Sequence, residues 1–268
     1  MEEATAAKEY WSSTDFQKKE YDQFPPFYIA AICRIVRFLK ISSVFEFGCN
    51  AGRNLSYLRG AIGSHLCLKG IDINEKSIAF GQETWNLDIS VGDEQFLQTL
   101  EADSFDFIFT ISVLDHIPAI EECLAALHRV SARYFLALEP LPESELSYLT
   151  PFQEEGLIAP TVATATPFSY THSLRERIPR AGFVERLRLP CPTYRKNFGP
   201  LYQILLYEKE SVSKSSDIDF SQLLDVLIFE CALQTISAGE QLRSLETQRQ
   251  KFSKMAYDLK KQLEVEGR

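Results

Sequence analysis

The chain has 268 residues, of which 45% are hydrophobic and 12% aromatic, and it carries a formal net charge of -9. That much apolar material supports one large domain with an appendage, or two small domains, and excludes a chain dominated by disorder. The negative balance argues against broad phosphate neutralisation, so no nucleic-acid partner is expected. The six cysteines (Cys33, Cys49, Cys67, Cys123, Cys191, Cys231) are scattered and form no Cys-x-x-Cys pair. Neither a metal site nor a disulfide framework follows from such spacing, which fits a reducing compartment. The start, Met-Glu-Glu-Ala-Thr, lacks the basic and apolar regions of a signal peptide, and no run reaches the roughly 18 apolar residues of a membrane span. The expected location is the cytoplasm.

Residues 1–40 are an aromatic-rich, helical lead-in containing Tyr10, Trp11, Phe16, Tyr21 and Phe24. Pro25 and Pro26 interrupt it, and a helical pattern follows from Phe27 to about Leu39. From residue 41 to 210 short apolar runs alternate with amphipathic stretches, the pattern of βαβ units on a parallel sheet. The expected strands are Ser43–Phe47, Cys67–Asp72, Ile89–Val91, Phe105–Ile111, Tyr134–Glu139, Val184–Leu189 and Leu201–Tyr207. Helices are expected at Asn54–Leu58, Glu75–Trp85, Gln95–Leu100, Ala119–Val130 and Ser173–Ala181, with a proline-rich inserted loop at 141–170. The fold class is therefore α/β: a doubly wound, Rossmann-like sheet of seven mostly parallel strands with an antiparallel end strand, plus a long C-terminal helix.

After a polar linker at 211–217, residues 218–268 contain no proline, and their heptads place Leu224, Cys231, Ala238, Leu245, Phe252 and Leu259 in one series. That is a coiled-coil-like seam. It can pack on its own domain, hold another protein or pair two copies. Of these, pairing into a homo-oligomer is the expectation.

The chemistry is concentrated in Glu46-Phe47-Gly48-Cys49-Asn50-Ala51-Gly52-Arg53-Asn54, where a buried strand turns into a helix. Gly48 and Gly52 let a backbone approach a ligand without an intervening Cβ, and Asn50 is the side chain that best tolerates a left-handed turn. The N–H groups at the start of the next helix suit a carboxylate or phosphate. Asp72 ends the second strand at the carboxyl edge of the sheet, where a carboxylate can accept both hydroxyls of a ribose. An ordinary tight turn, with Asp72 as a helix cap, explains the same residues without a ligand.

Here the sequence resembles the class I S-adenosylmethionine-dependent methyltransferases, over roughly residues 40–210. Glu46-x-Gly48-x-Asn50-x-Gly52 is similar to that family's acidic-x-Gly-x-Gly-x-Gly motif with one substitution, and it is not the Gly-x-Gly-x-x-Gly of nicotinamide enzymes. Further matches follow in order at Gly92-Asp93, Phe105–Phe109, Ser112–Ile117 and Arg180–Phe183. The resemblance implies S-adenosyl-L-methionine as cofactor, held by Glu46, Gly48, Cys49, Asn50, Gly52, Asp72, Ile73, Gly92, Asp93, Glu94 and Ser112. Glu46 would hold the cationic methionine end and Asp93 the adenine amino group. Glu94 competes for the adenine contact, and Asp93 is equally a natural helix cap.

In-line methyl transfer needs few catalytic groups, because the cofactor brings the reactivity. Asp115, His116 and His172 are the candidates for a base, although Asp115-His116 serves as well to cap the helix that follows. The Asn/Asp-Pro-Pro-aromatic signature of amino-group acceptors is missing at Ile111–Leu114, so the expected acceptor is an oxygen of a small molecule or glycan. Tyr10 and Trp11 are candidates for a lid, or for a helix packed on the sheet edge. Two other readings stay open: a nicotinamide-dependent oxidoreductase, and a non-catalytic methyltransferase-like scaffold acting through its C-terminal coil.

Overall fold

The computed structural model describes residues 2–14, 27–140, 168, 170, 172–191, 202–213 and 218–234. Seven strands appear among them: β1 (Ser43–Phe47), β2 (Cys67–Asp72), β3 (Asp88–Val91), β4 (Phe105–Ile111), β5 (Ser131–Pro140), β6 (Phe183–Cys191) and β7 (Tyr202–Lys209). They form one sheet in the order β3-β2-β1-β4-β5-β7-β6. β1 to β5 are mutually parallel, whereas β7 runs antiparallel to both β5 and β6. The antiparallel strand is thus the last of the described strands in the chain but not the last in the sheet, because β7 inserts between β5 and β6. A strand that leaves β6 by a hairpin can reach β5 only in this orientation.

The helices are α1 (Glu2–Ser13), α2 (Phe27–Phe38), α3 (Arg53–Ile62), α4 (Glu75–Trp85), α5 (Glu94–Leu97), α6 (Ile120–Val130), α7 (Leu174–Arg180), α8 (Glu210–Ser213) and α9 (Phe220–Gln234). Both faces of the sheet are covered, so its central strands read as nearly unbroken apolar runs. The two-residue period divides them between two cores. Val44, Leu136 and Leu138 join α2, α3 and α9 on one face, while Phe45, Phe47, Phe135 and Ala137 join α6 and α7 on the other.

The first part of the expected C-terminal coil packs on its own domain. Leu223, Leu227 and Ile228 of α9 are buried in the same core as Ile32 and Ile35 of α2, and α9 lies against α2 and β6. Its outward side carries Asp225 and the 44%-exposed Val226. The heptads after Gln234, the inserted loop up to 167, and Phe16, Tyr21 and Phe24 lie outside the described residues. The expected linker begins as helix α8, whose neighbour Lys209 bonds to Asp103 and to the Ser131 carbonyl. No helix among the described residues is long and apolar enough to cross a membrane.

Chain order turns at the gap between β1 and β4. Successive strands run outward from β1 to β3, then restart at β4 on the other side. In open α/β sheets, such a switch point leaves a crevice at the carboxyl ends of the strands.

Candidate active site

A cavity of about 680 Å³ lies at that crevice, within the range of about 300–1,000 Å³ usual for small-molecule sites. The β1–α3 corner forms its floor. Gly48, Asn50 and Gly52 all have positive φ (74°, 51° and 77°), so the asparagine adopts the left-handed turn in place of a glycine. A Cβ on Gly48 would collide with the Val113 side chain, which forces this strand end to stay bare. The corner is held from outside by α4, whose Gly81 lies against the Ala51 carbonyl with no room for a Cβ.

Glu46, the fourth residue of β1, is only 1% exposed. Its Oε1 accepts a hydrogen bond of 2.6 Å from Asn54 Nδ2, while Oε2 has no hydrogen-bond partner among the described residues. Burial pushes this carboxyl up to about 8. A buried acceptor with an unused lone pair facing a cavity is costly unless a donor arrives there.

Asp72 ties two loops together. Oδ2 accepts from the Asn50 N–H at 2.7 Å and Oδ1 from the Asn74 N–H at 2.8 Å. Burial raises this carboxyl as well. Each oxygen keeps a lone pair for a second donor. At the end of β3, Asp93 Oδ1 caps α5 through the Gln95 N–H at 2.9 Å, and Oδ2 accepts from Lys8 Nζ at 2.8 Å. Burial would raise the Asp93 carboxyl, but these bonds outweigh it and hold it below its ordinary value. Lys8 also reaches Glu94 Oε1 at 2.5 Å.

Helix α1 roofs the cavity through Ala4, Ala7, Lys8 and Trp11. Its C-terminal end is fastened by Asn74, whose Nδ2 donates to the Thr14 carbonyl at 2.8 Å. Trp11 packs on His116 with ring centroids 3.9 Å apart and the rings tilted by 35°, and Tyr10 packs on Trp11 and Phe168.

At the far wall, the end of β4 turns through Ser112, a non-glycine residue with φ 52°. The following Val113 N–H is shared between both carboxylate oxygens of buried Glu139, at 3.2 and 3.1 Å. Asp115 faces the same carboxylate, and burial pushes both groups up. Two carboxyls in one dry pocket cannot both ionise, so the pair retains a proton. Burial pushes the His116 imidazole down to about 4, which leaves it neutral near pH 7.

The family model for the methyltransferase domain matches residues 45–133. This chain carries a methyltransferase domain. No curated protein matches the sequence. Among solved structures, the chain is similar to a magnesium protoporphyrin IX methyltransferase from Synechocystis PCC 6803, solved with bound S-adenosylhomocysteine. The identity is 16%, the TM-score 0.54, and the alignment covers 76% of this chain and 99% of that one. It is also similar to an S-adenosylmethionine-dependent methyltransferase from Methanosarcina mazei (17%, TM-score 0.52, covering 65% and 96%). A protein of Pyrococcus horikoshii OT3 gives 17%, TM-score 0.51, and coverage of 72% and 100%. At such identities the likeness is one of fold.

Of the residues named from sequence, the methyltransferase cavity brings together Glu46, Gly48, Cys49, Asn50, Asp72, Ile73, Gly92, Asp93, Glu94, Ser112 and His116. Three others stand off its wall. Gly52 turns the chain into α3 and packs beneath Leu87 and Ile89. Asp115 is directed at Glu139 and Ser112 instead of the cavity. His172 is buried with Nε2 at 2.9 Å from the Ile117 carbonyl. Burial also pushes the Cys49 thiol well up, so it stays protonated.

Sequence reasoning assigns no site role to Lys8, Tyr28, Arg53 and Asn54, which also line the cavity. Arg53 and Asn54 directly follow the glycine motif and were within reach of a local reading. Lys8 and Tyr28 arrive only through tertiary packing.

Proposed function

We propose that this methyltransferase methylates an oxygen of a small molecule or glycan inside the cavity that α1 roofs. The observation that carries the assignment of the site is the buried Oε2 of Glu46, unpaired among the described residues, which suits the ammonium of the cofactor's amino-acid end. Asp72 accepts the ribose hydroxyls on its remaining lone pairs, and Ile73 supplies apolar contact beside them. Asp93 and Glu94 receive the adenine amino group in company with Lys8, so α1 closes as a lid over the nucleoside. The cofactor supplies a methyl group activated on a sulfonium.

The protein's part in the chemistry is to orient the acceptor and exclude water. His116 lies at the acceptor side as a neutral imidazole, with Asp115 behind it and His172 fixing the Ile117 carbonyl nearby. A roofed cavity favours a compact acceptor over a polymer. Titration of the full chain with S-adenosylhomocysteine is expected to show saturable binding and titration with NADH none. Binding of NADH alone would overturn the reading in favour of an oxidoreductase. We place the enzyme in the cytoplasm.

The heptads beyond Gln234 are read as a self-pairing segment that makes a homo-oligomer. Truncation after Gln234 leaves the Leu223, Leu227 and Ile228 contacts intact and is expected to lower the mass seen by light scattering to that of one chain. An unchanged mass would remove the pairing role.

A further inference from the structure

The amino-acid end of the cofactor is a zwitterion, and Glu46 can answer only its ammonium. The cavity wall otherwise offers the carboxylates Asp72, Asp93, Glu94 and Glu122, each of which repels an incoming carboxylate. Two side-chain cations line the described wall, Lys8 and Arg53. Lys8 is bonded to Asp93 and Glu94 at the end of β3, two strands from β1. With strands about 4.8 Å apart, that places it about 10 Å from the strand that carries Glu46. Arg53 is the first residue of α3, seven positions after Glu46 and next to Asn54, which bonds it. Its charge acts directly on the Glu46 carboxyl.

We propose that Arg53 holds the carboxylate of the cofactor's amino-acid end, with Tyr28 as the tether that aims it. The Tyr28 hydroxyl accepts a hydrogen bond of 3.0 Å from Arg53 Nη2, and both side chains line the cavity. A planar guanidinium suits a carboxylate because it donates in a fork, and the Tyr28 contact restricts its rotation before the ligand arrives. Helix α3 adds to the same field. It is ten residues long, and its N-cap, Gly52, supplies no side-chain cap, so its first N–H groups and the positive end of its dipole point the same way. Glu46 and Arg53 then form a matched pair that reads the two charges of an α-amino acid.

The inference rests on the S-adenosylmethionine reading of the site, and the test separates the two. The full chain is titrated with S-adenosylhomocysteine and with its decarboxylated analogue, which keeps the nucleoside, thioether and amine. Wild type is expected to bind the first more tightly by about tenfold or more. Arg53→Gln is expected to lose that preference, weakening S-adenosylhomocysteine by about tenfold to a hundredfold and the analogue by much less, the smaller loss coming from the Glu46 carboxyl, which Arg53 helps to ionise. Arg53→Lys should recover part of the loss, and Tyr28→Phe should show a smaller loss confined to the carboxylate-bearing ligand. Equal weakening of both ligands would mean a damaged loop, and no weakening would mean a bystander; either result overturns the assignment of Arg53. Failure of wild type to bind either ligand would instead remove the cofactor reading itself.

Discussion

Glu46→Gln is expected to abolish measurable binding of S-adenosylhomocysteine, with a loss of about a hundredfold or more, yet to raise the melting temperature of the unliganded protein at pH 8. Both effects have one cause. The glutamate is 1% exposed, and burial raises its carboxyl from an ordinary value of 4.5 to about 8. A folded-state pKa above the unfolded one favours folding below the unfolded value, and that contribution is lost as pH rises through the folded value. Above pH 8 the wild type therefore carries a buried charge whose second oxygen has no hydrogen-bond partner among the described residues. Glutamine removes the charge and keeps the shape, including an oxygen for the Asn54 bond. A stabilisation of about 5 °C is expected at pH 8 and almost none at pH 5, by thermal melts of both proteins.

Binding follows the same titration with opposite sense. An ammonium requires the carboxylate form of Glu46, so association near pH 7 releases a proton, and wild-type affinity climbs by up to about tenfold per pH unit before levelling near 8. Titration at pH 6, 7 and 8 is expected to show that climb in wild type. A flat wild-type profile would show that Glu46 is not the ammonium's partner.

The legibility of the fold differed by element. β1, β2, β4 and α4 have the bounds expected from sequence. The three strands are buried between two helical layers, so apolar runs such as Val44-Phe45 and Phe107-Ile108-Phe109 end where the chain meets the cavity. β5 begins three residues earlier than expected, at Ser131-Ala132-Arg133, because parallel pairing to Phe105 continues through residues whose side chains do not read as core. α5 is a single turn, too short for a period to register.

The site divided along similar lines. Glu46, Gly48, Asn50 and Asp72 lie on consecutive strand ends, where a local pattern carries the geometry. Asp115 is a candidate from its place after a strand and His172 from its place in the late loop, and nothing local reveals that Asp115 faces Glu139, 24 residues later in the chain. Lys8 was equally hidden, since its two partners lie more than 80 residues away. Charge pairing across such separations depends on how α1 docks, which a pattern along the chain does not encode.

Asp72→Ala is the second variant with a large expected effect, because it removes two functions at once. In the folded chain the carboxylate accepts the Asn50 and Asn74 N–H groups, bridging the β1–α3 and β2–α4 corners. Charge-assisted bonds of this kind contribute about 1.5–3 kcal/mol each, so their loss loosens the corner that Gly48 and Asn50 build. The ribose acceptor disappears in the same step. The expected outcome is at least a hundredfold loss of S-adenosylhomocysteine affinity together with a melting temperature lowered by about 5 °C or more. Asn is not a conservative substitute here. Asparagine offers one acceptor, and its amide nitrogen must then face one of the two backbone N–H donors, so Asp72→Asn is expected to behave nearly as badly as alanine. Calorimetric titration and thermal melts of the two variants check this directly. A variant that melts like wild type but cannot bind would assign Asp72 to the ribose alone. Wild-type binding by Asp72→Ala would remove it from the site.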